Sequence, residues 1–228
     1  MKNIICLKWG TKFASEYVNR LYKGFKRHTT IPFTFHCFTE NPRDIINDVI
    51  IHKLPSTGLE IWWNKLWLFS DQFPLSGRVF YLDLDTLIVG NVDDIISYDK
   101  DFVIVRDFYH ALRSSVAKNA QSCIMSFEAH KHHDIWEVFM KNPIKNQKGH
   151  GHGDQGWIQY IQKNFLYWQD LFPNQVVSYK IHCKGGLPDN ARIICYHGKP
   201  SISDSISKTT RAQGIFPPAK WVKNYWKD

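Results

Sequence analysis

The 228-residue chain has no C-x-x-C pair, no lysine- and arginine-rich run, no internal repeat and no low-complexity tract. It also lacks any stretch near the ~18 apolar residues of a membrane-spanning helix. Its N-terminus, MKNIICLKWGTKF, has an apolar run too short for an export signal and broken by Lys8, so it reads as a first strand. These absences lead to the expectation of a cytoplasmic protein. The cysteines number five, an odd count, with Cys6, Cys37 and Cys195 inside strand-like runs. Buried free thiols fit that pattern, and the spacing rules of structural zinc are not met. The net charge is +8. With no RNP-like motif and no finger spacing, that charge suits a phosphate-bearing ligand or an anionic surface, and no nucleic-acid partner is expected.

What is present is an alternation of strand-like and helix-like segments. NIICLKWG is a compact apolar strand ending in glycine. A helix follows with Ser15 as its expected N-cap and Tyr17, Val18, Leu21, Tyr22 and Phe25 on one face. FTFHCFTEN and VIIHKLP read as strands. LEIWWNKLWLFSDQF reads as an amphipathic helix with Ile61, Trp62, Leu66, Phe69 and Phe73 on its buried face, leaving Trp63 as the tryptophan expected to reach a ligand. RVFYLDLDT, DFVIVRD and SCIMSFE are further strands, HHDIWEVFMKN a helix with Ile135, Val138 and Phe139 inward, and WIQYIQKN a helix opened by the GHGHGDQG loop. VVSYKIHC and ARIICYHG are late strands, and FPPAKWVKNYWKD is a short aromatic helix. The pattern predicts an α/β domain over 1–228 with a mostly parallel mixed central sheet flanked by helices. Residues 204–228 form its tail, with a helix packed on the domain or on a surface; the basic and aromatic tail makes peripheral membrane contact a second expectation.

Two acids interrupt the apolar run RVFYLDLDTLIVG. In a strand, Asp83 and Asp85 share one side while Leu82 and Leu84 face the core. Two like charges in a partly dry place raise each other's pKa unless a cation or strong donors hold them ionised. At the carboxyl end of a central strand, where open α/β sheets bind ligands, that pair points to a divalent metal site.

With these residues placed, roughly 3 to 203 resemble the nucleotide-sugar glycosyltransferases of the Rossmann-like GT-A fold. The likeness is to the retaining glycogenin and galactosyltransferase type and its bacterial and viral relatives. WWNKLWLF resembles the helix whose lysine reaches the donor, here Lys65; YLDLDTLIVGNVDDI the D-x-D strand and its following turn; GHGDQGWI the D-Q segment near the anomeric carbon; YHGKP the late His-Gly-Lys-Pro block. The resemblance implies a metal-dependent hexosyltransferase that moves a sugar from a UDP-hexose or other nucleoside-diphosphate sugar, with retention, to a hydroxyl on a glycan, lipid-linked or protein acceptor. It implies Mn²⁺ or Mg²⁺ held by Asp83, Asp85 and His197. Oxygen ligands suit either ion, and an added imidazole favours Mn²⁺.

It further implies donor contacts from Lys8, Trp9, Gly10 and Tyr17 around base and ribose, from Asp83 and Leu84, and from Gly198 and Lys199 at the phosphates. Asp154 and Gln155 are the implied catalytic pair. Arg106, at the end of an apolar strand, is expected either to contact the donor or to pair with Asp107; Trp157 either lines the acceptor side or packs. The histidines of HKHHD and GHGHGD read as exposed loop residues. The chain departs from the family where relatives carry F-N-x-G: here QSCIMSF places Gln121, Ser122 and Cys123, with Ser122 the expected sugar contact. That departure leaves a non-catalytic nucleotide-sugar-binding module as the alternative, and a metal-dependent phosphodiester hydrolase as a third reading.

Overall fold

The computed structural model of the chain describes residues 1–109, 119–211 and 214–228. Strands run in chain order as β1 (Lys2–Lys8), β2 (Phe33–Thr39), β3 (Ile50–Lys53), β4 (Arg78–Leu82), β5 (Thr86–Ile88), β6 (Val103–Arg106), β7 (Ala120–Glu128), β8 (Leu166–Tyr167), β9 (Val176–Ser178), β10 (Ile193–Cys195), β11 (Thr210–Arg211) and β12 (Ile215–Phe216). The helices are α1 (Ser15–His28), α2 (Asp93–Ser97), α3 (Asp134–Met140), α4 (Pro143–Gly149), α5 (Gly153–Ile161), α6 (Trp168–Leu171), α7 (Tyr179–His182) and α8 (Ile202–Ser207), with 3-10 helices at Ile61–Phe69 and Lys220–Asn224. Seven strands form the main sheet in the order β3-β2-β1-β4-β7-β6-β8, and β5-β10-β9 form a second sheet. The first four positions are parallel, while β7 runs antiparallel to both neighbours. The expected α/β architecture with a mixed central sheet is what forms.

The period of two in β4 divides the interior. Phe80 and Leu82 face a core shared with Val18, Leu21 and Phe25 of α1. Val79 and Tyr81 face the opposite core, built from the Ile61–Phe69 segment, α3 and α5. The five cysteines are buried free thiols: Cys6, Cys37, Cys123 and Cys195 lie in the core on the α1 side, and Cys183 lies in a third cluster with Tyr179 and Tyr196.

Several elements differ from the sequence reading. Ser15 is the first helical residue, with Ala14 at the cap position, and its hydroxyl donates to the Arg43 carbonyl at 2.5 Å. The segment expected as an amphipathic α-helix is a 3-10 helix, in which residues three apart eclipse. Trp63, Leu66 and Phe69 therefore line up and are buried, whereas Ile61 and Trp62 are about half exposed. In α3, Ile135 and Phe139 turn inward but Val138 does not. VVSYKIHC is a strand only to Ser178, whose hydroxyl accepts from the Ile181 amide and caps α7.

The tail expected over 204–228 begins inside α8, continues through the β11-β12 pair and ends in the Lys220–Asn224 turn; residues 212 and 213 lie outside the described residues. It docks on α1. The Trp226 ring stands 5.0 Å from that of Tyr17 and 5.6 Å from the Arg20 guanidinium, and Asp228 pairs with Arg20 and Lys23. Trp226→Ala is expected to destabilise the protein by about 3 kcal/mol, as for other buried large-to-small changes. Urea unfolding checks this, and an unchanged midpoint would show that the tail adds nothing to the fold.

Candidate active site

At the end of β4 the chain leaves one sheet for the other. The Asp83 amide continues the pairing with β7 by donating to the Cys123 carbonyl at 2.8 Å. Two residues on, the Tyr196 amide donates to the Asp85 carbonyl at 3.0 Å, and β5 then pairs with β10. Residues 83–85 are thus a turn that bridges the two sheets, where the sequence suggested continuing strand. Leu84 is buried in the core as expected. Both carboxylates line a cleft of about 320 Å³ together with Trp9, Lys12, Phe13, Trp62, Lys65 and Tyr81.

Lys65 organises the closed side of this cleft. The Asn64 amide group donates to the Leu59 carbonyl at 3.1 Å and pins the preceding loop, so the next side chain points at the sheet. Lys65 is only 5% exposed. Its Nζ lies 2.9 Å from Asp83 and 3.2 Å from Asp154, and donates to the Ser122 hydroxyl at 2.9 Å. Ser122 in turn donates to Asp154 at 2.5 Å, and the Tyr81 hydroxyl to Asp83 at 2.5 Å. Burial alone would pull the ammonium down, but Asp154 and Asp83 hold it above the usual lysine range. Burial raises the Asp154 carboxyl, an effect offset in part by Lys65 and Ser122. Asp154 also sits in the first turn of α5, where the helix dipole favours an anion.

Asp85 is differently placed. Among the described residues no lysine or arginine lies within 4 Å of it. Burial, and then the neighbouring Asp83 charge, push its carboxyl up to about 6, against smaller opposing effects of Lys12 and the Gly198 amide. Gly198 belongs to the His-Gly-Lys-Pro turn, so that turn does lie beside the D-x-D acids. The turn is tight: His197 has φ 34° and Gly198 φ 103°. The His197 ring stacks on Phe108 at 5.3 Å, and its Nε2 is 2.6 Å from the Ser178 hydroxyl. Burial, then the Lys180 charge, lower that imidazole to about 3, so it is neutral.

These residues accommodate a divalent cation in part. An under-neutralised carboxylate next to a second one is a hard oxygen donor set. A neutral imidazole is the form that ligates, but the ring is engaged with Ser178. Among the described residues no three such side chains are gathered around one point.

The other expected donor residues are spread more widely. Trp9 lines the cleft, whereas the Lys8 ammonium turns to the Asn41 carbonyl at 3.5 Å. Gly10, at φ 64°, donates its amide to Glu40 at 2.7 Å. The Tyr17 ring packs on Phe13 and Trp226, with its hydroxyl 3.1 Å from Ser203. Arg106 pairs with Asp170 and lies over the Tyr167 ring, which gives it a structural partner other than the expected Asp107. Lys199 is paired with Asp204 at 2.8 Å. Gln155 lines a separate depression of about 370 Å³ with His150, His152 and Lys163. Trp157 is packed, donating to the Ile135 carbonyl at 2.8 Å.

The sequence reading missed Lys12, Phe13 and Tyr81. The signal for the first two was available, because the loop after β1 runs to Ser15 and all of it faces the sheet's carboxyl end. Trp62, not Trp63, is the tryptophan that reaches the cleft, and it presses on the D-Q helix: a Cβ at Gly153 would stand 2.5 Å from its indole nitrogen.

No family model matches the chain, and no curated protein matches it in sequence. Solved structures do match in fold. The glycosyltransferase GlyE of Streptococcus pneumoniae TIGR4 is similar over 89% of this chain and 56% of its own, at 12% identity and TM-score 0.66. The galactosyltransferase LgtC, solved with donor and acceptor sugar analogues, is similar over 88% of each chain at 12% identity and TM-score 0.63. The bifunctional glycosyltransferase WbbM is similar over 88% of this chain and 46% of its own, at TM-score 0.60. The chain spans about half the length of GlyE and of WbbM. Its fold is the GT-A fold of nucleotide-sugar glycosyltransferases.

The Asp85 carboxyl gives this site a pH signature. Its folded pKa of about 6 lies above the usual value of ~3.9 for an unfolded aspartate, so folding takes up a proton between the two. Without added divalent cation, the contribution of Asp85 to stability is expected to fall as pH rises from about 4 to 6 and then to level off, opposite in sign to that of His197, whose lowered pKa makes stability rise over the same range. Asp85→Asn should remove that contribution, so that the difference between variant and wild type grows from pH 4 to 6 and reaches roughly 3 kcal/mol in favour of the variant at pH 7. Urea titrations across pH measure both, and parallel wild-type and variant profiles would rule the assignment out.

Proposed function

We propose that the protein is a metal-dependent glycosyltransferase that moves a hexose from a nucleoside-diphosphate sugar, UDP-hexose first, to a hydroxyl acceptor with retention. The observation that carries this reading is the Asp83-Asp85 turn. It lies at the carboxyl end of β4, lines an aromatic-walled cleft, and is adjacent to both the late His-Gly-Lys-Pro turn and the buried Lys65-Asp154-Ser122 cluster.

In this reading Trp9 and Phe13 bind the base and ribose, and Trp62 covers the sugar. Asp83 and Asp85, with His197 once it releases Ser178, would hold Mn²⁺ or Mg²⁺. When bound, that ion neutralises the charge that gathers on the diphosphate as the glycosidic bond breaks. Lys65 holds Asp83 and Asp154 in place. Asp154 orients the donor sugar, with Gln155 just beyond it toward the second depression. The leaving phosphate oxygen takes the acceptor proton on the same face of the sugar, so no protein base is called for. The acceptor is a glycan, lipid-linked or protein hydroxyl. No helix among the described residues is long and apolar enough to cross a membrane; peripheral contact through the tail and a cytoplasmic setting belong to the proposal.

Isothermal titration with nucleoside diphosphates in Mn²⁺ tests it. Wild-type protein is expected to bind at least one of them, and Asp85→Ala to weaken that binding by roughly a hundredfold. Binding that ignores Asp85→Ala would defeat the reading. Transfer or hydrolysis of the matching nucleotide sugar with pooled acceptors separates an enzyme from a binding module. A generic phosphodiester should remain uncleaved.

A further inference from the structure

The resemblance gives the phosphate-binding role to Lys199, yet Lys199 is occupied. Its ammonium is 2.8 Å from Asp204, its side chain is 69% exposed, and Asp204 is further fixed by Lys208 and by the capping box of α8. On the inner side of the same turn stands a different cation. Lys180 is 8% exposed, and it projects from α7 toward the turn that carries His197 and Gly198. Its Nζ donates to the His197 carbonyl at 3.0 Å. A Cβ built on Gly198 would meet nothing nearer than that Nζ, at 4.0 Å. Asp85, which among the described residues has no lysine or arginine within 4 Å, acts on Lys180 electrostatically from across the turn.

An ammonium has three donors. Among the described residues that of Lys180 has one hydrogen-bond partner, a neutral carbonyl, and no carboxylate within 4 Å. A buried cation left in that condition is costly unless an anion completes it. Among the described residues nothing but the Lys180 Nζ comes within 4 Å of a Cβ built on Gly198, and the amide of the same glycine is directed at Asp85. Position and charge converge on one place beside the D-x-D acids.

We propose that Lys180 is the residue that binds the terminal phosphate of the nucleoside diphosphate, with Lys199 remaining on Asp204 to hold the turn in place. This rests on the nucleotide-sugar reading of the cleft. Lys180 then completes its donors on phosphate oxygens and stabilises the diphosphate as it leaves. The role was not visible in the sequence, because VVSYKIHC reads as a strand in which Lys180 has no assigned side.

The test is calorimetric, in Mn²⁺, with uridine, UMP and UDP and the matching adenosine and guanosine series. Wild-type protein should prefer the diphosphate to the monophosphate. Lys180→Met should reduce that preference by about 10- to 100-fold, the range for a hydrogen bond to a charged group, and leave nucleoside binding unchanged. Lys199→Met should keep the preference. Lys180→Arg, which retains the charge, should keep most of it. Loss of the preference in Lys199→Met with its retention in Lys180→Met overturns the assignment and leaves the wider reading standing. Equal weakening of nucleoside, monophosphate and diphosphate in both Lys180 variants shows a purely structural lysine and also overturns it. Failure of the wild-type protein to bind any of the series overturns the nucleotide-sugar reading itself.

Discussion

A single buried ammonium holds the candidate site together. Lys65 reaches from the 3-10 helix to Asp83 after β4, to Ser122 on β7 and to Asp154 at the start of α5. Four separate elements meet at one nitrogen. Removing a charge from water costs several kcal/mol, so this arrangement is favourable only because two carboxylates and a hydroxyl complete it. The cost runs the other way as well: without the lysine, Asp83 and Asp154 would be like charges near each other in a dry interior. The cluster therefore fixes geometry more than it adds stability. That suits a place where a sugar ring has to be held in one orientation.

The carboxylates divide into two kinds. Asp83 and Asp154 share the Lys65 ammonium, whereas among the described residues no lysine or arginine lies within 4 Å of Asp85. The difference follows from the backbone. Asp83 still follows the main sheet, on the Tyr81 side where Lys65 lies; Asp85 belongs to the crossing into the second sheet, where β10 brings Tyr196, His197 and Gly198. One acid is part of the frame, and the other has no lysine or arginine partner among the described residues. This division gives the two-residue spacing its meaning: a single turn serves both sheets.

The parts of this site that rest on strict periodicity or on a fixed motif were legible in the sequence. The period of two along Val79, Phe80, Tyr81 and Leu82 assigns the faces of β4, and the position of D-x-D at its end follows. Lys65 and Asp154 could be placed only through the resemblance, since neither residue alone distinguishes a site from a surface. The 3-10 segment defeated a reading based on 3.6 residues per turn and exchanged the roles of Trp62 and Trp63. Arg106 was expected either to contact the donor or to pair with Asp107; its ion-pair partner, Asp170, comes from α6, a long-range pairing invisible in the sequence. Lys180 was lost for a related reason: the strand ends two residues before it, where Ser178 starts a helical turn.

The QSCIMSF segment bears on whether the site turns over. Its departure from F-N-x-G puts a thiol, Cys123, 3.6 Å from the Cys195 thiol at the seam between the two sheets, where it packs. Gln121 keeps a buried carbonyl oxygen that has no hydrogen-bond partner among the described residues. The middle residue, Ser122, is the one wired into the charged cluster through both Lys65 and Asp154. The polar contact of this strand has thus moved onto the serine. Asp154 is expensive to bury as an ion, and its partners Lys65 and Ser122 offset that cost. A carboxylate held by two partners in the first turn of α5 cannot turn away, so whatever group enters the cleft beside it meets a fixed acceptor.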